Sequence, residues 1–249
     1  MELPFGSHCL SHFPSYVPGM PAPSPPPFKT TTRLQIRAFQ DNDAAFWLHL
    51  RGQKSVLQPA TFGYAVPPAL NMWETWRKLI DEALFAGIIE VKGDFSGLVK
   101  RLEEDEGVAW DPAPEQQDER GKEKYMEWAS RSHPAGIILL RVHIPKNRDA
   151  ELGMMFSPEW QGLGLGIELL RWLIPHAFDQ LGMHRLSLTV KVSNERARRL
   201  YEKVGFVLEG RRKAAVWEDG RWEDILEMGI VAEEFWERCH VEKERAREE

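Results

Sequence analysis

The chain has 249 residues, 43% hydrophobic and 28% charged, which allows one large or two small domains with a true apolar core. A net charge of −6 disfavours nucleic acid as a partner, because a phosphate backbone selects a basic surface. Two cysteines, Cys9 and Cys239, give neither a disulfide framework nor a zinc spacing, and no apolar run approaches a membrane span; this fits a reduced, cytoplasmic setting, with the nucleus left open.

Residues 1–32 are Pro-rich, with Pro25, Pro26 and Pro27 in a row. They are expected to be extended or disordered, since proline has no amide for a ladder. They lack the basic start and apolar stretch of a signal peptide. Residues 34–39 predict a first strand. A helix through Ala45, Phe46, Leu48 and Leu50 follows, with Asp41 or Asp43 as its cap. Residues 58–71 carry Pro59, Gly63, Pro67 and Pro68 and predict a loop, in which Phe62 and Tyr64 either pack or meet a substrate. Residues 73–84 set Trp76, Leu79, Ile80 and Ala83 on one helical face. Residues 85–91 read as a strand, and Gly93 with Asp94 as a turn into 95–98.

Residues 103–131 combine an acidic cluster with Pro112, Pro114 and mixed charge. They predict a solvated surface insertion, partly helical over 120–129. The alternative is an acidic lip that draws in cationic substrates. Residues 135–144 are strongly apolar and predict a central strand. A turn at 145–149 returns the chain into a strand over 151–156, making an antiparallel hairpin.

Leu152, Met154 and Phe156 alternate with Gly153 and Met155, and Ser157 with Pro158 stops that strand. Gly162, Gly164 and Gly166 follow, then Leu165, Leu169, Leu170, Leu173 and Ile174 at helical spacing. Pro175 predicts a bend near Arg171, and Gly182 ends the helix. A strand feeding a glycine loop that opens a helix is a device for holding phosphate. The backbone approaches an anion closely, and the first amides of the helix have no internal partner. The nucleoside-triphosphate spelling fails, because Gly166 is followed by Ile167 and Glu168 and not by Lys and Ser or Thr. The dinucleotide spelling fails too, because its third glycine would fall on Ile167 or Leu169.

Downstream, 186–192 alternates apolar and polar residues as a half-buried strand. Asn194 is a natural cap for a helix that sets Ala197, Leu200, Tyr201 and Val204 on one face and ends at Gly205. Residues 207–212 and 225–231 predict strands. Between them Asp219-Gly220 marks a turn with Trp217 and Trp222 on either side. A final helix spans 232–247 and frays into charge.

Two strings now stand in order: Gln161-x-x-Gly164-x-Gly166 and Asn194-x-x-Ala197-x-x-Leu200-Tyr201-x-x-x-Gly205-Phe206. Together they resemble the GNAT superfamily of acetyl-CoA-dependent N-acetyltransferases. The likeness covers 34–230 and is strongest from Glu151 onward; 209–229 resembles the ribosomal-protein-type branch. The resemblance implies a mixed α/β fold with a mostly antiparallel sheet, flanked by helices and splayed between strands 151–156 and 186–192. It implies an acetyltransferase domain over 33–232 and a C-terminal helix or tail over 233–249.

The resemblance also assigns roles. The backbone of Met154, Met155 and Phe156 would pair with the pantetheine arm of acetyl-CoA. The loop formed by Gln161, Gly162, Leu163, Gly164, Leu165, Gly166 and Ile167 would cradle the diphosphate, and Asn194 would touch the arm. Tyr201 is the candidate acid for the departing thiolate, and Glu151 the candidate base for the amine, acting through water. A strand amide near Met155 would steady the oxyanion. No cysteine stands near the motifs, so attack is expected to be direct, within a ternary complex, and no metal is expected. The acceptor is a protein N-terminus or a small amine such as a polyamine, and no oligomeric state can be read. Gly162 and Leu163 stand where many relatives carry Lys or Arg, which predicts a weaker grip on the cofactor. The same departure leaves open a CoA-binding or regulatory module without catalysis.

Overall fold

A computed structural model describes residues 28–56, 71–92 and 134–248. The expectations for 1–27, for the loop at 58–70 with Phe62 and Tyr64, for the turn at 93–98, for the insertion at 103–131 and for Cys9 lie outside the described residues.

Among the described residues eight strands form one sheet: β1 (Lys29–Thr30), β2 (Leu34–Arg37), β3 (Phe85–Val91), β4 (Pro134–Val142), β5 (Asp149–Phe156), β6 (Arg185–Lys191), β7 (Val207–Glu218) and β8 (Arg221–Val231). Their spatial order is β1-β2-β3-β4-β5-β6-β8-β7, and every neighbouring pair is antiparallel except β5 with β6. The sheet is accompanied by α1 (Ala44–Gly52), α2 (Asn71–Asp81), α3 (Leu165–Asp179), α4 (Glu195–Lys203) and α5 (Ala232–Glu248).

The central strands β3 and β4 are mostly apolar because both of their faces are covered. Ile88 of β3 and Ile137 of β4 join Phe46, Trp47 and Leu50 of α1 in one core. Their chain neighbours Ile89 and Ile138 join Leu169, Leu170 and Leu173 of α3 in the other. Leu173 has no exposed surface, and burying a side chain of that size stabilises the fold by about 1.5–3 kcal/mol. The helix α3 continues without interruption past Arg171 and Pro175 to Asp179.

Three local expectations are corrected. Residues 28–32, assigned to the tail, include β1, which pairs with β2 through Lys29–Ile36 and Thr30–Gln35. Asp43 precedes α1 as expected, but its carboxylate makes no cap bond to α1 itself. It accepts instead from Arg37 Nη1 and Nη2, each at 2.7 Å, and closes a one-turn 3-10 helix over Asp41–Asp43. Burial pulls the Arg37 guanidinium down, but Asp43 and Glu90 together hold it above its ordinary value. In α2 the packed face is Met72, Trp73 and Trp76, while Leu79 is exposed. The aromatic contact with Trp47 sets the helix rotation, and the spacing of leucines does not.

The β7–β8 hairpin turns at Asp219 (φ 46°) and Gly220 (φ 78°). Positive φ at both central residues suits a tight two-residue turn. Trp217 and Trp222 pair across it, with ring centroids 5.3 Å apart.

Candidate active site

The opening that matters lies between β5 and β6. Their pairing runs from Asp149–Arg185 to Glu151–Ser187 and then stops. On its other side β5 stays paired with β4 as far as Phe156–Gly136. Residues 152–156 therefore keep one edge without a strand partner among the described residues. Backbone groups on that edge are free to pair with an extended ligand. Gly136 lets the two strands meet, since any side chain there would run into the Met155 carbonyl oxygen.

Below this edge the chain makes a 3-10 turn over Pro158–Trp160 and enters the glycine loop. Gly162 (φ 81°) and Gly164 (φ 77°) are both left-handed. That conformation suits glycine, and it lets Gly164 stand directly before the first residue of α3. The first amide to bond back within the helix is that of Glu168, to the Gly164 carbonyl. The amides before it form the electropositive end of a 15-residue helix. Gln161 fastens the loop: its Nε2 donates to the Phe156 carbonyl at 2.8 Å, and its Oε1 accepts from Arg196 at 3.0 Å.

Edge, loop and α4 line one cleft of about 890 Å³. Glu151, Met154, Met155, Phe156, Gln161, Gly162, Gly164, Leu165, Gly166, Ile167, Asn194 and Tyr201 all border it. Leu163 does not; its side chain is exposed and its carbonyl accepts from Arg33. Asn194 caps α4, accepting from the Ala197 amide at 3.2 Å, and its side-chain NH₂ is a further donor beside the cleft. Gly166 brings α3 against α4, because an added Cβ would lie 2.7 Å from Leu200 Cδ1.

Tyr201 sits on the buried face of α4, edge-on to Phe206. Burial pushes its phenol up to about 12, so it stays protonated at every working pH. Glu151 is held differently. Burial would raise its carboxyl, but the hydrogen bond from His143 and the adjacent Arg141 guanidinium outweigh that and hold it below its ordinary value. Arg141 Nη2 lies 2.6 Å and His143 Nε2 2.9 Å from the same carboxylate oxygen.

A family profile for the acetyltransferase (GNAT) domain matches residues 33–207, more than half of the chain. The chain belongs to the GNAT acetyltransferase family. It is similar to the spermidine N(1)-acetyltransferase of Vibrio cholerae, with 34% identity over 92 residues, which are 37% of this chain and 53% of that one. It is also similar to the L-amino acid N-acetyltransferase AaaT of Escherichia coli, with 32% identity over 82 residues, 33% of this chain and 51% of that one. The chain thus spans about half the length of the curated relatives it matches. Among solved structures, the spermidine N-acetyltransferase from Vibrio cholerae in complex with CoA and spermine superposes with a TM-score of 0.60 at 22% identity, over 83% of this chain and 99% of that one. The shared fold is the GNAT fold.

Several cleft residues escaped the sequence reading: Ser55, Val56, Arg141, Trp160 and Arg196. Arg196 was within reach, since a residue two places after a helix cap lies in the first turn and faces whatever that turn faces. Ser55 and Val56 come from a stretch with no motif at all.

Proposed function

We propose that the protein transfers acetyl from acetyl-CoA to an amine by direct attack in a ternary complex. The observation that carries this reading is the unpaired β5 edge running into a left-handed glycine loop at the start of α3, with Tyr201 in the same cleft. The edge accepts the pantetheine arm as an added strand, and the loop and helix amides accept the diphosphate. The amine nitrogen bonds to the thioester carbon as the carbon–sulfur bond breaks. Tyr201 donates to the departing sulfur and the amine proton leaves to water. With its carboxyl held low, Glu151 is a weak base; its part is to orient that water or the incoming ammonium.

We further propose that the acceptor carries a single amine charge, as the α-amine of a protein N-terminus does. Among the described residues, the acidic groups bordering the cleft are Glu151 and Glu195. Each is neutralised by an arginine, Glu151 by Arg141 and Glu195 by Arg199. A polycation gains little from such a lining. An α-amine titrates near 8 and needs little help from a base, whereas a lysine-type amine near 10.4 needs much.

Two measurements test these readings. Thermal-shift titration with CoA is expected to raise Tm in proportion to the logarithm of ligand concentration above Kd. A flat response overturns the cofactor assignment. A free-thiol assay comparing a short peptide α-amine with spermidine is expected to favour the peptide at least about tenfold in kcat/KM. The reverse order overturns the acceptor assignment alone.

A further inference from the structure

Two arginines from distant parts of the chain stand against the glycine loop. Arg196, in the first turn of α4, places Nη1 on Gln161 Oε1 at 3.0 Å. Its Nη2 lies 3.4 Å from where a Cβ on Gly162 would stand. Arg33, in the turn before β2, donates from Nη1 to the Leu163 carbonyl at 2.8 Å, with Nη2 3.6 Å from the Cβ position of Gly164. The loop is held between two guanidinium groups.

Their electrostatic states differ. Arg33 Nε pairs with Glu168 Oε2 at 2.7 Å. The other Glu168 oxygen accepts from Thr31 Oγ1 at 2.6 Å and from the Arg33 amide at 2.8 Å. Glu168 lies in the first turn of α3, beside the amides that would meet a diphosphate. An uncompensated carboxylate there repels phosphate. Arg33 cancels it and, by gripping the Leu163 carbonyl, fixes the loop. Arg196 has no such partner: among the described residues no carboxylate lies within ion-pair distance of it, and its contact is the neutral Gln161 amide. It borders the cleft with its positive charge uncancelled.

We propose that Arg196 makes the cationic contact to the cofactor diphosphate that Gly162 and Leu163 cannot make, and that Arg33 is a positioning residue that keeps the loop attractive to anions by neutralising Glu168. The proposal rests on the acetyl-CoA reading above. A guanidinium matches two phosphate oxygens at once, and Gln161 holds this one beside Gly162 on the lining of the cleft. The cation has moved from the loop to the neighbouring helix, so the weaker grip expected from the loop's spelling does not arise.

Calorimetric titration of the full chain with CoA, dephospho-CoA and pantetheine tests this. Arg196→Gln is expected to weaken CoA and dephospho-CoA equally, by about tenfold, the scale of a charge-assisted hydrogen bond, with pantetheine binding unchanged. Arg196→Lys, which keeps the charge at the same place, is expected to lose less affinity than Arg196→Gln. Arg33→Gln is expected to weaken CoA binding more than the double variant Arg33→Gln/Glu168→Gln, which removes both charges. Loss confined to CoA places Arg196 on the 3′-phosphate and overturns its assignment. Equal affinities for Arg33→Gln and its double variant overturn the neutralising role. If the wild-type chain binds no CoA, the acetyl-CoA reading itself falls; if it binds and Arg196→Gln binds equally well, this inference falls alone.

Discussion

The two ends of the cleft are built from different material. At the loop end the binding surface is backbone: the open edge of β5, the left-handed glycines and the first amides of α3. At the other end, where Ser55 and Val56 border the cleft, the wall is backed by large side chains, with Trp47, Trp73, Trp76 and Phe39 packed under it. A backbone surface is indifferent to most side chains and strict about where glycine falls. A side-chain surface tolerates many sequences of similar volume. The first can therefore hold one invariant group while the second changes from one acceptor to another.

The sharpest way to separate the ends is to remove the group that serves the reaction and neither surface. Tyr201→Phe takes away one hydroxyl and keeps the ring that packs on Phe206. Turnover is expected to fall about a hundredfold, the lower bound for losing a positioned acid, with CoA affinity and Tm nearly unchanged. Unaltered kcat removes Tyr201 from the chemistry. Next in size, Gly164→Ala forces a Cβ into a left-handed conformation that disfavours it by about 1–2 kcal/mol. CoA affinity is expected to drop roughly tenfold, with Gly164→Asn milder because asparagine tolerates that conformation. Equal losses for both would mean that the backbone angle is not what matters.

At the other end, Trp76→Ala breaks ring contacts with Phe39, Trp47 and Trp73 at 5.2–5.8 Å. The ring is only partly buried, so the loss is expected near the low end for large-to-small changes, about 2–3 kcal/mol, or a fall in Tm of roughly 4–12 °C. The acceptor KM is expected to rise while CoA affinity holds. A change in CoA affinity equal to the change in KM would show that the two ends are not independent.

The same contrast explains what could be read in advance. Gln161, Gly164, Gly166, Asn194 and Tyr201 lie within 41 residues of sequence, and their spacing is dictated by a strand, a turn and two helix starts. The hairpin at Asp219-Gly220 was equally legible, because a turn chemistry names its own residues. The contact of Arg33 and Thr31 with Glu168 spans more than 130 residues, and nothing in the run Lys29-Thr30-Thr31-Thr32-Arg33 signals a strand or a clamp. Asp43 stands at the cap position as expected, but the partner of its carboxylate was not legible: cap and ion-pair partner look alike until Arg37 is brought beside it. The orientation of α2 depended on which tryptophans found Trp47, which local periodicity cannot decide.

The smallest expected effect concerns His49, on the face of α1 nearest Glu159. Burial lowers its pKa, and the Glu159 charge offsets this only in part. Its Nε2 lies 2.6 Å from the Gln53 side-chain amide, a contact whose direction depends on the ring tautomer. The unfolded chain, with an ordinary value near 6.5, then binds the proton more readily than the folded one. Stability from this group is complete above about pH 6.5 and is lost as pH falls through that value toward the lowered one. His176 acts in the same direction, lowered by burial and by Lys29. Glu151 and Glu168, with carboxyls held low, lose their contribution only in a more acid window, below the ordinary carboxylate range. Tm followed from pH 7.5 to 5.5 is therefore expected to decline before any carboxylate titrates, and His49→Gln is expected to flatten part of that decline. A Tm curve with the same slope in wild type and His49→Gln would show that this histidine takes up no differential proton.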